Sequence, residues 1–275
     1  MRILAAFIYM AYIYGAAWVL ASGNVLHPSD VNTAVLMICA TLILLSILPP
    51  VKFLHTRYAL FTIAGFSSFK RPNPLVKKEL LSIWSEVVKS CGYNPKRFRV
   101  IVYPSKPNAW PHVTDNTLLL PDGFVEWART QDGQAILVHE IGHLVHDRTY
   151  TLLWLFYGAY KLALLPISLL RFVWGIAANM PLVNLIAIPV LYTLQGVDYV
   201  LAHSCTYINK QAQWRSEYRA DQFAAAHGFA AAAASAIIRY GEGNDTHGSY
   251  THPPGAERVR RLQTAVQTMA RPPAK

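Results

Sequence analysis

His139-Glu140-Ile141-Gly142-His143 is the stretch that decides how this chain of 275 residues is interpreted. On an α-helix, residues i and i+4 lie on the same face, so both imidazoles can bind one Zn²⁺ ion. Glu140 then lies beside the open position of the metal, where it can accept a proton from water. The spacing therefore predicts a helix over residues 133–147 that carries a catalytic zinc site.

A catalytic zinc ion takes a third protein ligand, and the sequence offers two acidic candidates downstream. Glu217 and Asp221 are four residues apart, so a helix places both on one face. One carboxylate can bind metal while the other orients a ligand histidine. By itself the pair is more typical of a solvated face with arginines one turn away, but beside the HExxH motif we interpret it as part of the metal site.

Hydrolysis of a peptide bond also needs a base and a group that stabilises the oxyanion. Glu140 is the candidate base, because zinc lowers the pKa of a bound water towards neutrality. His252, in a Thr-His-Pro-Pro stretch, is the candidate oxyanion partner, and Arg258 on the next predicted helix is a second. We expect His112, His203, His227 and His247 to be structural or exposed. His146 follows His143 by three residues, but the Gly and the longer spacing of a metzincin zinc site are missing.

Composition favours a membrane protein. The hydrophobic fraction is 53% and the charged fraction only 15%, an unusual balance for a soluble globule. The net charge of +10 fits basic cytoplasmic segments better than nucleic-acid binding, since no stacking or phosphate-binding motif accompanies it. The three cysteines form no CxxC pair, which indicates packing residues in a reducing compartment rather than a disulfide framework.

Four apolar runs predict about four transmembrane helices. Residues 3–21 and 31–48 form the first predicted hairpin, although a cleaved signal peptide is the alternative for residues 3–21. Residues 152–180, with a kink at Pro166 or partly at the interface, and residues 182–202 form the second. Basic residues after each hairpin place both chain ends and the intervening segment on the cytoplasmic side.

Between and after the hairpins, the sequence predicts folded, water-exposed protein. Apolar periodicity predicts a helix over 74–90, and alternation predicts strands over 98–103 and 117–120. The predicted C-terminal helices are 211–227, 230–240 and 256–269. The domain prediction is thus a transmembrane hairpin at 1–50, a cytoplasmic catalytic part at 51–150, a second hydrophobic hairpin at 151–203 and a catalytic helical part at 204–275.

An HExxH motif, a downstream ExxxD after two apolar runs, and a His-Pro pair followed by an arginine-rich helix resemble the HtpX-like and CAAX-processing membrane zinc metalloproteases. The resemblance covers most of the chain. It implies a mainly α integral membrane protein with a zincin-like α+β catalytic domain that carries a small β-sheet. It also implies one Zn²⁺ per chain, protein or peptide substrates and a lipid bilayer as partners, and no nucleic acid.

Residue by residue, the resemblance implies the roles at the site. His139, His143 and Glu217 resemble the zinc ligands, Glu140 the base and Asp221 the group that orients a ligand. His252 and Arg258 resemble residues that contact the transition state or substrate, and Asp147 resembles the polar end of the HExxH helix.

Asn108-Ala109 resembles the family's edge-strand motif, where an extended substrate adds as a strand. Here Trp110-Pro111-His112 follows, where the family has smaller residues. Because Pro111 has no N–H to donate, the edge is expected to be interrupted there.

The sequence leaves three alternatives to a membrane-surface protease: an intramembrane protease, a CAAX-processing enzyme and a silent adaptor. Polar residues on both sides of the motif argue against zinc buried within the bilayer, and about four spans are too few for the enclosed chamber of the CAAX-processing relatives. A catalytically silent adaptor or chaperone that kept the fold is the alternative from another functional class. The expectation is a zinc endopeptidase of a membrane, most simply a bacterial inner membrane, with its active site towards the cytoplasm and an oligomeric state left open.

Overall fold

The computed structural model describes residues 10–11, 13–15, 17–18, 30–65, 70–106, 109–147, 150–163, 165–240, 243–249 and 251–270. Most of the predicted apolar run 3–21 and the predicted substrate-binding residue Asn108 lie outside these described residues. The chain divides into two compact units, residues 1–48 with 152–212 and residues 49–151 with 213–275.

The first unit is helical. Its helices are Val31–Ile47, most of Tyr150–Ala163, Leu165–Ala177 and the first part of Asn184–Ala226. Phe156 and Tyr160 are buried in one apolar cluster with Val31 and Val35. Large apolar side chains elsewhere on these helices are exposed, among them Leu36, Met37, Leu44, Ile47, Leu185 and Ile186.

Among the described residues, no helix taken singly has both the length and the hydropathy of a membrane span. The consecutive helices Val31–Ile47 and Pro49–Ala64 meet the criterion only as a pair interrupted at Leu48. Within the predicted apolar run 152–180 the structure describes the helices Tyr150–Ala163 and Leu165–Ala177.

Helix Pro49–Ala64, which opens the second unit, was not predicted, because Pro49-Pro50 was interpreted as the end of the preceding helix. A new helix can begin there because first-turn N–H groups have no partner within the helix, so proline loses nothing. A buried polar cluster connects this helix to two other segments: Thr151 Oγ1 lies 3.0 Å from His55 Nδ1 and donates to Asp115.

A three-stranded sheet lies in the second unit. Strands β1 (Arg99–Tyr103), β2 (His112–Thr114) and β3 (Thr117–Pro121) have the order β1-β3-β2. β1 and β3 pair in parallel, whereas β2 and β3 are antiparallel and join through Asp115, whose φ of 45° allows the tight turn. β1 and β3 agree with the two predicted strands, and β2 is an additional strand at the sheet edge.

Helix Pro74–Ser90 agrees with its predicted bounds. The Asn73 side chain accepts a hydrogen bond from the Leu75 N–H and caps the first turn, and Pro74 occupies a position that needs no donor. Its buried face carries Leu80, Trp84, Val87 and Val88, which pack in the main core of the unit.

The HExxH helix (Gln131–His146) begins two residues earlier than predicted. The Thr130 hydroxyl caps it by accepting from the Gly133 N–H at 3.1 Å. Leu137, Ile141 and Leu144 are fully buried, and they hold this helix in the core so that its histidines lie on the opposite, cavity-facing side.

The second unit also contains the C-terminal part of one long helix and two further helices. The glutamate helix (Asn184–Ala226) is one helix of 43 residues, which corrects the prediction of separate segments at 182–202 and 211–227. The alanine helix (Ala230–Arg239) and the C-terminal helix (Gly255–Ala270) agree with prediction to within one residue. The helix continues where the composition changes from apolar to charged, and the prediction places a boundary at that change.

Candidate metal centre

The HExxH helix brings the two histidine rings together. The Nε2 atoms of His139 and His143 lie 3.1 Å apart, and the ring planes are nearly perpendicular, at 86°. The third group comes from the glutamate helix, where Glu217 Oε1 lies 3.2 Å from His143 Nε2 and Oε2 lies 3.5 Å from His139 Nε2. One candidate ligand atom from each of the three residues lies within 4.8 Å of the others.

Each histidine is held from behind by a carboxylate. Asp221 Oδ1 lies 2.9 Å from His139 Nδ1, and Asp147 Oδ2 lies 2.9 Å from His143 Nδ1. A carboxylate accepts hydrogen bonds, so these partners assign the proton of each neutral imidazole to Nδ1. Each Nε2 then presents a lone pair to the space that the rings share with Glu217.

The three residues fit a zinc ion. Two imidazole lone pairs and a carboxylate converge, and Glu217 Oε2 is buried with an ion-pair contact to Arg258 but with no hydrogen bond from a described residue. Mutually facing acceptors are stabilised only by a proton or a cation between them. Two histidine nitrogens and one carboxylate oxygen are a ligand set that catalytic zinc commonly takes.

Asp147 belongs to a small buried network. It is 1% exposed, and it accepts hydrogen bonds from Ser216 Oγ and, at 2.9 Å, from Arg219 Nη2, as well as contacting His143. Ser216 Oγ also lies 3.2 Å from His143 Nδ1. The residue next to Glu217 thus helps to hold the second histidine, which the sequence analysis did not foresee.

Arg258 lies among the carboxylates of the site. Its Nε and Nη2 atoms each donate to Asp221 at 2.8 Å, and Nη1 lies 3.2 Å from Glu217 Oε2. The guanidinium is buried and its charge offsets those of the two acidic groups. This placement indicates that Arg258 positions Asp221 and Glu217, and its predicted contact with the transition state stays a prediction.

His252 lies at the edge of the site. Its Nε2 atom is 3.9 Å from Glu217 Oε2, and its side chain is 47% exposed. Its Nδ1 atom lies 2.9 Å from Thr251 Oγ1, while its backbone N–H donates to Ser249 Oγ. These contacts fix the position of His252, and its ring lines the cavity. The oxyanion role of His252 stays a prediction.

Burial and charge shift the pKa values of the three acids at the centre. Burial raises the pKa of Glu140 above its ordinary value, despite the opposing charges of the two histidines. Burial also acts to raise the pKa of Glu217 and Asp221, but the positive charge of the Arg258 guanidinium outweighs it. As a result, the pKa of Glu217 lies well below its usual range and that of Asp221 falls to about 2.

A cavity of about 730 Å³ opens onto the candidate ligands. Glu140, Arg258 and His252 line it together with the ligand residues, and so does Ala109, the described half of the predicted substrate motif. Ala109 lies in irregular backbone before β2, so the strand edge at the cavity is formed by His112 and Val113 instead. The interruption expected at Pro111 agrees with this start of β2.

Gly142 sets how closely the two metal-binding helices approach. A Cβ atom at this position would lie 2.9 Å from Ala220 Cα and 3.1 Å from Phe223 Cβ, both on the glutamate helix. Sequence reasoning missed this role, although the small residue in the middle of the HExxH motif was a signal of close helix packing.

Residues 74–266, which are more than half of the chain, match the family model of peptidase family M48. The chain belongs to peptidase family M48. Members of this family are metallopeptidases, usually with zinc, and the matched region contains His139, His143 and Glu217. A comparison with curated proteins finds no match.

Proposed function

We propose that this protein is a membrane-bound, zinc-dependent endopeptidase of the HtpX-like kind, with one Zn²⁺ per chain. The observation that carries the proposal is the convergence of His139 Nε2, His143 Nε2 and Glu217 on one point, with a carboxylate behind each imidazole. Membership of peptidase family M48 supports the same chemistry. Its substrates would be membrane proteins or misfolded proteins.

Residues of this chain supply the proton transfers. Zinc held by the three ligands would activate water and polarise the carbonyl of the scissile peptide bond. Glu140 lines the cavity beside the ligands, accepts the proton of the attacking water and returns it to the leaving amine. The raised pKa of Glu140 makes its carboxylate a stronger proton acceptor. The carboxylates that contact the Nδ1 atoms keep the Nε2 lone pairs of the histidines directed at the point where the metal would bind.

The cavity also suits an extended peptide. The sheet order leaves β2 at an edge, and its residues His112 and Val113 line the same cavity as Glu140. A substrate strand can pair with such an edge through backbone hydrogen bonds while its scissile carbonyl lies at the metal. This arrangement supports cleavage within a chain rather than hydrolysis of a small ester.

Exposed apolar surface supports the membrane assignment. On helix Val31–Ile47, Leu36 and Met37 are 70% and 66% exposed, and on the glutamate helix Leu185 is 74% exposed. Soluble monomers rarely expose so many large apolar side chains, whereas in a bilayer lipid tails would cover them. Basic residues that follow the apolar runs favour a cytoplasmic active site, most simply at a bacterial inner membrane.

Glu140→Gln tests the enzymatic proposal. The amide cannot accept the proton of water, so casein cleavage by the purified, zinc-loaded protein should fall by about 10²–10⁴-fold while zinc content is unchanged. The measurement is the initial rate of proteolysis beside metal analysis of the same preparation. Glu86→Gln, on an exposed position outside the cavity lining, is the matched control and should keep full activity.

The same variant separates the protease from its alternative, a silent adaptor or chaperone with this fold. If cells that carry Glu140→Gln keep the full biological activity of the wild type, and neither purified protein cleaves casein or a membrane protein, the adaptor is favoured. Proteolysis that persists in metal-free protein would remove the zinc mechanism.

A further inference from the structure

Helix Pro49–Ala64 has one side packed in the second unit. Leu60 is fully buried, in a cluster with Tyr103 of β1 and Leu119 of β3. Thr56, one turn earlier on the same side, is buried as well. These contacts with the sheet fix which side of the helix points outwards.

The outward side of this helix is mainly apolar and aromatic. Phe53, Arg57 and Phe61 follow one another at intervals of four residues, and Leu54 and Tyr58 form the neighbouring row. All five side chains are exposed, Leu54 to 60% and Tyr58 to 53%. We call these five residues the aromatic face.

Two guanidinium groups lie at the aromatic face. Arg57 Cζ is 5.2 Å from the centre of the Phe53 ring, and Arg99 Cζ, from an exposed position on β1, is 5.9 Å from the same centre. A cation over an aromatic ring is held there by the charge distribution of the ring. The exposed apolar surface therefore carries positive charge at a defined place.

The sequence around this helix is basic and lacks acidic residues. No Asp or Glu occurs between Asp30 and Glu79. The basic residues in that interval are Lys52, Arg57, Lys70, Arg71, Lys77 and Lys78. Positive charge without acidic neighbours in sequence favours an anionic partner.

The surface of an anionic bilayer fits this combination. A helix that lies on a membrane buries aromatic and aliphatic side chains at the boundary of the headgroups, and its basic side chains contact lipid phosphates. Arginine suits this position because its stem lies along apolar surface while the charged end stays among the headgroups. In addition, only Leu48 separates this helix from the apolar helix Val31–Ile47.

A second copy of the chain fits the aromatic face less well. In a symmetric dimer the same patch of each copy meets the other, so Arg57 and Arg99 would face identical positive charges. Like charges brought together across an interface oppose association. The charge thus favours lipid over self-association.

The helix that carries the aromatic face also reaches the active-site cavity. Ile63, nine residues after Leu54, lines the cavity together with His139 and Glu140. At a rise of 1.5 Å per residue, the two positions are about 14 Å apart along the helix axis. Attachment of this helix to a bilayer would therefore keep the cavity close to the lipid surface.

We propose that the aromatic face lies in the interfacial region of a bilayer with anionic headgroups, which its arginines contact, and that this attachment holds the cavity at the membrane surface. The inference rests on the proposed membrane-bound peptidase and adds to it an attachment that depends on headgroup charge. The substrates that such a position favours are protein segments that leave the bilayer at its surface.

A nitroxide spin label at Leu54→Cys tests the attachment, in the full chain with its native cysteines replaced by serine. The zinc-loaded protein is reconstituted at one chain per nanodisc, in phosphatidylcholine alone or mixed with phosphatidylglycerol. In anionic discs, the ratio of label collisions with oxygen to those with a water-soluble nickel complex should be about tenfold higher than for Glu86→Cys, because oxygen concentrates in lipid. Glu86, exposed on another helix, is the aqueous reference, and Tyr58→Cys is the second labelling position if Leu54→Cys does not fold.

Charge reversal tests the role of the headgroups. Arg57→Glu combined with Arg99→Glu should lower the oxygen-to-nickel ratio at position 54 about threefold to tenfold in anionic discs, since each basic residue near the surface adds attraction. Lys89→Glu combined with Arg260→Glu changes the charge equally at exposed positions on other helices. This control should keep the ratio of the parent protein.

Three results would overturn the inference. The first is a ratio at position 54 as low as that at position 86 in anionic discs, and the second is a ratio that neither the lipid charge nor the arginine variants change. The third is shielding of position 54 only when two chains share a disc, which would assign the aromatic face to a second copy. Zinc-dependent proteolysis in the same discs would leave the proposed function standing, whereas a wild type that does not enter a bilayer at all would remove the membrane assignment itself.

Discussion

Asp147 has the same relation to His143 as Asp221 has to His139, with carboxylate–imidazole distances of 2.9 Å in both pairs. Ser216 and Arg219 hold Asp147 in turn, so the second pair is a built network rather than a chance contact. Such partners fix the tautomer and orientation of a metal-binding ring.

We predict that Asp147→Asn weakens zinc binding about 10- to 100-fold, because the neutral amide no longer fixes the Nδ1 proton. Competition with a chromogenic chelator measures this independently of proteolysis. Glu126→Gln, whose side chain is 75% exposed in the wild type, is the control and should bind zinc as the wild type does. Undiminished affinity in Asp147→Asn and in Asp147→Ala would rule out the positioning role.

At the residue scale, sequence spacing predicts which site residues share one face of the same helix. HExxH spacing placed His139 and His143 on one face, and ExxxD spacing paired Glu217 with Asp221. The network of Asp147 with Ser216 and Arg219 connects two helices about 70 residues apart in sequence, and helix periodicity does not show which faces will meet.

The approach of the HExxH helix to the glutamate helix depends on Gly142. Replacement by Ala would place Cβ 2.9 Å from Ala220 Cα, and a backbone carbon cannot rotate away. We predict that Gly142→Ala separates the helices, lowers stability by about 1–3 kcal/mol and weakens zinc binding, since Glu217 moves with its helix.

Thermal unfolding and zinc titration of the same preparations measure both effects. Gly158→Ala is the matched control, because its added Cβ meets no atom within 4 Å, and it should be neutral or slightly stabilising. Wild-type zinc affinity in a folded Gly142→Ala protein would show that the close approach does not set the site.

At the element scale, apolar periodicity predicted helix Pro74–Ser90 with its bounds and β1 and β3 nearly so. β2 was missed because three residues are too few to show alternation, and because its partner β3 is what orders it. Helix Pro49–Ala64 was missed because proline marks a helix start as readily as an end.

The two compact units combine segments that are distant in sequence. Residues 1–48 group with 152–212, and residues 49–151 with 213–275. The sequence predicts two hydrophobic hairpins and two catalytic parts that alternate along the chain. Apolar and charged segments show where the composition of the chain changes. Contacts between segments that are distant in sequence leave no local pattern from which they could be predicted. The boundary near residue 212 falls inside the glutamate helix, so one continuous helix belongs to both units.

On the proposed membrane assignment, lipid would cover the apolar side chains that the helices expose. We therefore predict that the whole protein stays in the membrane pellet after an alkaline carbonate wash. Protease added to inverted inner-membrane vesicles should degrade the unit that carries the HExxH helix, whereas spheroplasts should protect it. Release by carbonate, or degradation in spheroplasts alone, would contradict the membrane assignment or its orientation.

Zinc content of the purified protein tests the central claim most directly, namely that His139, His143 and Glu217 hold one metal ion. The wild type and Glu86→Gln should each bind about one zinc per chain, while Glu217→Gln should lose zinc to a chelator at least about tenfold more readily. Zinc bound as tightly by Glu217→Gln as by the wild type, or a wild type that binds none, would contradict the account.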